Sequence, residues 1–320
     1  MRVESSIPIS FPFEIISAND RSAIEPILNR MFKNSLASPF GGTPILGDEA
    51  GWGTEFFELH KSSIFMNLTE STQKSVLKSC SDANIEEAMF IEVAGMTFSS
   101  KMSLLAQNLN ERELYCRFGA DEAHHFRQLQ MVLGELNLKK AYQSSFLKFL
   151  GNLIQTESRV PLILLIQVLL EGWGIHYYST LSENTSYSEV KKIFNSIVAD
   201  EASHHGSGII LFREALTNPN EEIRMAEAVG ELLSMVRLGP AGILTHLYKA
   251  NGGMTLNEIS HFLDEVNFQE KINRDLEILK HLLTKAKAIR IIEKLERQGL
   301  FSIPSVRGCA SLLSNLLGVS

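Results

Sequence analysis

Two stretches of this chain echo each other. Asp121-Glu-Ala-His-His125 and Asp200-Glu-Ala-Ser-His-His205 each contain a Glu-x-x-His step, Glu122–His125 and Glu201–His204. A lone glutamate stands thirty residues before each step, at Glu92 and at Glu171. On an α-helix, residues three apart share a face, so the Glu and His of each step project together. The midpoint of each pair falls in a polar stretch, Gln107-Asn-Leu-Asn110 and Asn184-Thr-Ser-Tyr-Ser188. In an antiparallel helical hairpin, about fifteen residues out and back, at roughly 1.5 Å each, return the chain to one level. Each lone glutamate is therefore expected to face its Glu-x-x-His step. Two such hairpins packed face to face would bring four carboxylates and two imidazoles to one depth.

The flanking pattern says these positions are buried. The expected inner stripes are Ile85, Met89, Glu92, Met96, Ser99 and Ser103, then Phe118, Glu122, His125, Leu129, Val132 and Leu136. In the second half they are Leu164, Gln167 or Val168, Glu171, Gly174 or Ile175 and Tyr178, then Val190, Phe194, Ile197, Glu201, His204, Gly208, Leu211 and Ala215. A solvated face would not carry Phe118, Leu129, Phe194 and Leu211 in the same register as charges. Four buried carboxylates without compensation are very costly, and a pair of metal ions removes most of that cost. Mixed carboxylate and imidazole donors suit iron or manganese better than a structural zinc. The expected ligands are thus Glu92, Glu122, His125, Glu171, Glu201 and His204. Asp121 and Asp200 each precede a ligand glutamate. A carboxylate on a ligand histidine's second N–H is a recurring arrangement, so Asp200 would orient His125 and Asp121 would orient His204; plain solvation is the alternative.

Rivals surround the set. His124 and His205 neighbour the chosen histidines but are rotated by about 100°. Glu86 and Glu87 compete with Glu92, which the equal spacing favours. His176 lies off the ligand face. Gly95, Gly172 and Gly174 sit near the ligands, where glycine weakens a helix; they leave room beside a metal or serve close helix packing. Met89, Met96 and Phe118 line an apolar pocket or belong to the plain core.

The remainder of the chain is consistent with a soluble helical protein. Its 320 residues carry a net charge of −7, and that mild acidity gives no electrostatic footprint for nucleic acid. Three widely spaced cysteines, Cys80, Cys116 and Cys309, argue for reduced thiols in a cytoplasm and against a disulfide framework. The longest apolar run, Val160 to Leu170, is too short to span a bilayer and reads as a buried helix. Residues 1–68 are expected to form an arm packing on the core, with β-like pieces at Ile7–Phe13, a helix over Arg21–Asn34 and loops at Gly41-Gly-Thr-Pro44 and Gly51-Trp-Gly53. Residues 69–216 form the bundle: one helix opened by Thr69, a longer one from Ala83 to Ala106, a connecting helix Ser145–Thr156 and another reaching about Ser182. Residues 217–320 form a helical extension, with helices over Asn220–Leu238, Ala241–Ala250, Thr255–Val266 and Glu270–Gln298. Capping boxes are expected at Asn110/Glu113, Ser186/Glu189 and Thr255/Glu258. The basic segment Lys271–Arg297 is a solvated face or a landing place for an acidic donor protein, and the apolar tail from Cys309 docks on the bundle or a partner.

Over residues 83–216, including both Asp-Glu-x-x-His motifs, the chain resembles the ferritin-like di-iron carboxylate superfamily. That group includes ribonucleotide reductase small subunits, their oxidase relatives, methane monooxygenase hydroxylases, acyl-carrier-protein desaturases and arylamine N-oxygenases. The resemblance implies an all-α, ferritin-like four-helix bundle with additional N- and C-terminal helices. It implies two iron ions, or manganese with iron, and O2 as co-substrate. The implied activity is an oxygenase or oxidase acting on a small, partly apolar or carrier-bound organic substrate, by hydroxylation, desaturation, N-oxygenation or C–C cleavage. An external protein would supply electrons, and a homodimer is compatible. Radical-generating reductase subunits place a tyrosine four residues after the first histidine; here that residue is Leu129. Arylamine N-oxygenases place a third histidine one turn before the last glutamate; here that residue is Ile197. A metal-storage or metal-sensing protein and a radical-cofactor subunit of a larger enzyme are the competing readings.

Overall fold

The computed structural model describes residues 43–134, 144–215 and 217–319. Regular structure among them is helical, without a strand. Helix α1 spans Glu70–Leu105, α2 Leu109–Leu133, α3 Ser145–Thr156, α4 Arg159–Asn184 and α5 Ser188–Glu214. They are followed by α6 (Pro219–Val236), α7 (Ala241–Ala250), α8 (Leu256–Glu265), α9 (Phe268–Lys285), α10 (Ile289–Arg297) and α11 (Val306–Leu317). The expected elements at Ile7–Phe13 and Arg21–Asn34, and Leu136 of the second stripe, lie outside the described residues.

Both hairpin turns fall where the spacing places them, between Leu105 and Leu109 and between Asn184 and Ser188. Several boundaries differ from expectation. The helix opened near Thr69 does not stop before Ala83: α1 runs unbroken for 36 residues, because no Gly or Pro interrupts the ladder before Gly95. The cap of α2 is Asn108, not Asn110; its side chain accepts from Glu111 N–H at 2.9 Å, and the Glu111 carboxylate accepts from Gln107 N–H at 2.9 Å. At α5 the Ser186/Glu189 box does not form. Thr185 Oγ1 instead accepts from Tyr187 N–H at 3.3 Å and donates to the Gly51 carbonyl at 3.1 Å. The Thr255/Glu258 box is present, and Asn218 with Glu221 makes another at the start of α6, with Pro219 in the first turn. The single helix expected over Glu270–Gln298 is two, α9 and α10. Lys287 turns left-handed at φ 61° and the Ala288 N–H closes on the Leu283 carbonyl. Glycine usually takes that position, so a lysine there gives no warning in the sequence.

The described residues divide into two compact units, 43–47 with 84–134 and 144–162, and 48–83 with 163–215 and 217–319. In the first, the later part of α1 and α2 form an antiparallel hairpin. Phe98, Tyr115 and Phe118 pack ring against ring at 5.5 to 6.5 Å, and Gly119 lets Ser99 approach. Lys101, largely buried, reaches α3 and donates to the carbonyls of Ile154, Gln155 and Glu157 at 2.7, 3.3 and 2.7 Å. These are the orphan carbonyls of a helix end, where a cation is favoured.

In the second unit, α4 and α5 form the other hairpin. Tyr178 stacks on Phe194 at 5.6 Å, and Ser182 Oγ donates to Asn195 Oδ1 at 2.6 Å. The middle of α4, Ile163–Leu170, is π-helical, which the sequence reading did not anticipate. α6 and α9 pack against this segment, α10 rests on α6 and α9, and α11 lies on α8 with Cys309, Ala310 and Leu313 buried. The apolar tail thus docks within its own unit. Trp52 is buried, donating Nε1–H to the Leu181 carbonyl at 2.9 Å. α4 is long and apolar enough to cross a bilayer, but 67% of its most apolar window is buried by protein, as in a core helix.

Candidate metal centre

Each hairpin closes its own triad of donors. In the first, Glu92 comes from α1, and Glu122 and His125 come from one face of α2. His125 Nδ1 lies 3.2 Å from Glu92 Oε2. In the second, Glu171 comes from α4, and Glu201 and His204 from α5. His204 Nδ1 lies 3.5 Å from Glu171 Oε2 and 4.0 Å from Glu201 Oε2. Within each triad one donor atom per residue lies within 4.8 Å of the others. All six residues are at most 9% exposed. The chain therefore contains buried Glu/His clusters that could hold metal.

Their dimensions fit that use. Two donors bound at about 2.1 Å to one ion are separated by at most about 4.2 Å. The three separations above fall inside that span. The donors are carboxylate oxygen and imidazole nitrogen, both ordinary protein ligands of divalent metal ions.

Gly95 has a definite part. A Cβ there would stand 2.5 Å from Glu122 Oε2 and 2.7 Å from its carboxyl carbon. The glycine makes room for the Glu122 carboxylate against the wall of α1. Gly172 serves close packing, since a Cβ there would meet Leu282 and His205 at 2.7 and 2.8 Å. Gly174 is in neither situation, with Glu201 Oε2 at an ordinary 3.9 Å.

The rival residues sit elsewhere. His205 donates Nδ1–H to the Val168 carbonyl at 3.0 Å. Burial holds its pKa below the usual imidazole value, a tendency this hydrogen bond opposes. His176 is exposed, and His124 is half-buried. Burial pushes the Glu87 carboxyl up, against a hydrogen bond from Ser144 that lowers it. Asp121 is gripped by Arg117 one turn earlier, with guanidinium contacts of 2.6 and 3.1 Å. Asp200 is half-buried on α5. Met89 and Phe118 are fully buried core residues.

Sequence reasoning left Gln167 as one of two alternatives in a stripe and missed what its side chain does. It is fully buried in the π-helical segment, and Nε2 donates to the His204 carbonyl at 3.2 Å and to Ser207 Oγ at 2.9 Å. A lone glutamine in an apolar run was the available signal. Comparison with known proteins finds no matching family model, no matching curated protein and no matching solved structure.

Proposed function

We propose that each triad holds one iron ion, two per chain, and that the protein is an O2-activating non-haem oxygenase or oxidase acting on a partly apolar organic substrate. The observation that carries this reading is the buried Glu/Glu/His triad closed by each of two helical hairpins. Iron, when bound, supplies the redox chemistry with O2. The chain's own residues do the rest. Glu92, Glu122 and His125 would hold one ion; Glu171, Glu201 and His204 would hold the other. The carboxylates neutralise the metal charge and the apolar neighbours exclude water, which strengthens every electrostatic contact in the site. Electrons would come from a separate donor protein. Manganese in place of one iron uses the same donors. The ferritin-like four-helix bundle belongs to the same proposal and rests on the motif resemblance; the orienting roles of Asp121 and Asp200 belong to it too and rest on their places beside Glu122 and Glu201.

The test starts from metal-free protein loaded anaerobically with Fe(II), followed by metal analysis and O2 uptake. Two irons per chain and rapid O2 consumption in a single turnover are expected. His125→Ala and Glu171→Ala should each remove one iron. Many irons per chain would instead establish storage. A persistent protein radical after O2 exposure, seen by electron paramagnetic resonance, would establish a radical-cofactor subunit. Two irons with O2 uptake no faster than that of free Fe(II) would refute the oxygenase reading.

A further inference from the structure

Around the second triad, α4 and α5 are locked to each other by two reciprocal insertions. At Gly208 on α5, a Cβ would stand 2.8 Å from Gln167 Cγ and 3.0 Å from the Gln167 backbone carbonyl carbon. The bare glycine lets the Gln167 side chain of α4 enter and donate to the His204 carbonyl and to Ser207 Oγ. Ser207 Oγ itself donates to the His204 carbonyl at 2.9 Å. The mirror arrangement occurs one turn away. At Gly172 on α4, a Cβ would stand 2.8 Å from His205 Nδ1, and that nitrogen donates to the Val168 carbonyl at 3.0 Å. The inserted residues and their partners flank Glu171 on both sides along α4 and follow directly on Glu201–His204 along α5.

The π-helical segment gives the lock its purpose. Ile163–Leu170 ends directly before Glu171. An α-helix turns 100° per residue and a π-helix turns less, so a π stretch rotates everything after it relative to everything before it. Wherever this segment ends, it sets the direction in which Glu171 projects. A wide turn of this kind is less favourable than α-helix, so tertiary contacts must hold it. Gln167 and Val168, the two residues that make the cross-helix contacts, both lie inside it.

We infer that Gln167, together with Gly208, Ser207 and the His205–Val168 contact, is a register clamp that positions Glu171 against Glu201 and His204. Gln167 is a positioning residue and touches no metal. It sets the metal affinity of the second triad and leaves the first triad unaffected. This inference rests on the metal reading above.

The experiment uses the full-length metal-free chain and Co(II) as the probe, followed by visible absorption and calorimetry, with the melting temperature of the metal-free protein measured in parallel. Wild type should bind two Co(II) ions. Gln167→Leu removes both side-chain hydrogen bonds at similar volume. It should weaken one ion by about ten-fold or more and leave the other unchanged, the scale typical of groups supporting a ligand. The absorption band of the weakened ion should also shift. Ser207→Ala removes one acceptor of the clamp and should weaken the same ion by about three-fold, as expected for a single hydrogen bond. It serves as the readout if Gln167→Leu does not fold. Unchanged constants and spectra in the variants overturn the clamp alone. Equal weakening of both ions, alongside a lower metal-free melting temperature, also overturns it, because that is a fold defect. A wild-type chain that binds no Co(II) overturns the metal reading and the clamp with it.

Discussion

Two residue-scale features can be tested singly. Gly95 faces the Glu122 carboxylate at a distance no methyl group tolerates. Gly95→Ala gains helix propensity of up to about 1 kcal/mol. The fold should therefore survive while the carboxylate is displaced. Expected is a loss of at least about ten-fold in affinity for one metal ion, with little fall in the metal-free melting temperature; a Co(II) titration beside a thermal melt reads both. Gln128 lies one turn beyond His125, fully buried, and neither carboxamide atom has a hydrogen-bond partner among the described residues. A buried polar group left unpaired costs about 1–3 kcal/mol. Gln128→Leu is thus expected to raise the melting temperature of the metal-free protein, and a lower one would contradict the argument. The residue identities at the triads were legible in the sequence because charge in an apolar stripe demands an explanation. Gly95 was legible as near the site, but its role was not, since only the approach of α2 to α1 decides what a missing Cβ makes room for.

At the scale of elements, helix ends and breaks carry the energetics. Lys101 satisfies the last carbonyls of α3 from a largely buried position. Lys101→Met keeps the stem and removes the ammonium. It should cost about 2 kcal/mol of stability in urea unfolding, as for a charged group hydrogen-bonded to several acceptors. On α9, burial holds the Asp275 carboxyl above the usual range although Lys271 and Arg274 pull it down. A carboxyl whose folded pKa exceeds its unfolded one binds its proton more tightly when folded. Its ionisation therefore erodes stability as pH rises from below the unfolded pKa through the folded one. Asp275→Asn should raise the melting temperature at neutral pH, and the difference should vanish at pH values where the aspartate is protonated in both states. The basic stretch around Asp275 behaves as a solvated face in part, with Lys280 paired to Glu296 at 2.6 Å and Arg290 to Glu222 at 3.2 Å. Exposed pairs of this kind contribute little to stability. The missed break at Lys287 and the missed continuity of α1 have one cause. Local propensity marks where a helix tolerates a stop, while packing of the flanking segments decides whether it stops there.

For the molecule as a whole, metal should act as a ligand of the folded state. A free ion at about 100 times its dissociation constant adds about 2.7 kcal/mol per site. Loading should therefore raise the melting temperature in a concentration-dependent way, and a chelator should reverse it. A melting temperature indifferent to Fe(II), Mn(II) and Co(II) would argue against both sites. All three cysteines are free; burial pushes the thiols of Cys80 and Cys309 up to about 12 and about 11. This agrees with a chain that relies on helical packing and not on disulfides. What the sequence determined by itself is the helical character, the two hairpins with their turns, and the Glu/His donors of each. Period, spacing and polarity are local properties, and they survive in a string of letters. What only the tertiary structure decided is the aim of those donors: the bare Cα of Gly95 under Glu122, the π-helical segment before Glu171, and the insertion of Gln167 beside Gly208. Each depends on how closely two helices approach, a distance that no single helix encodes.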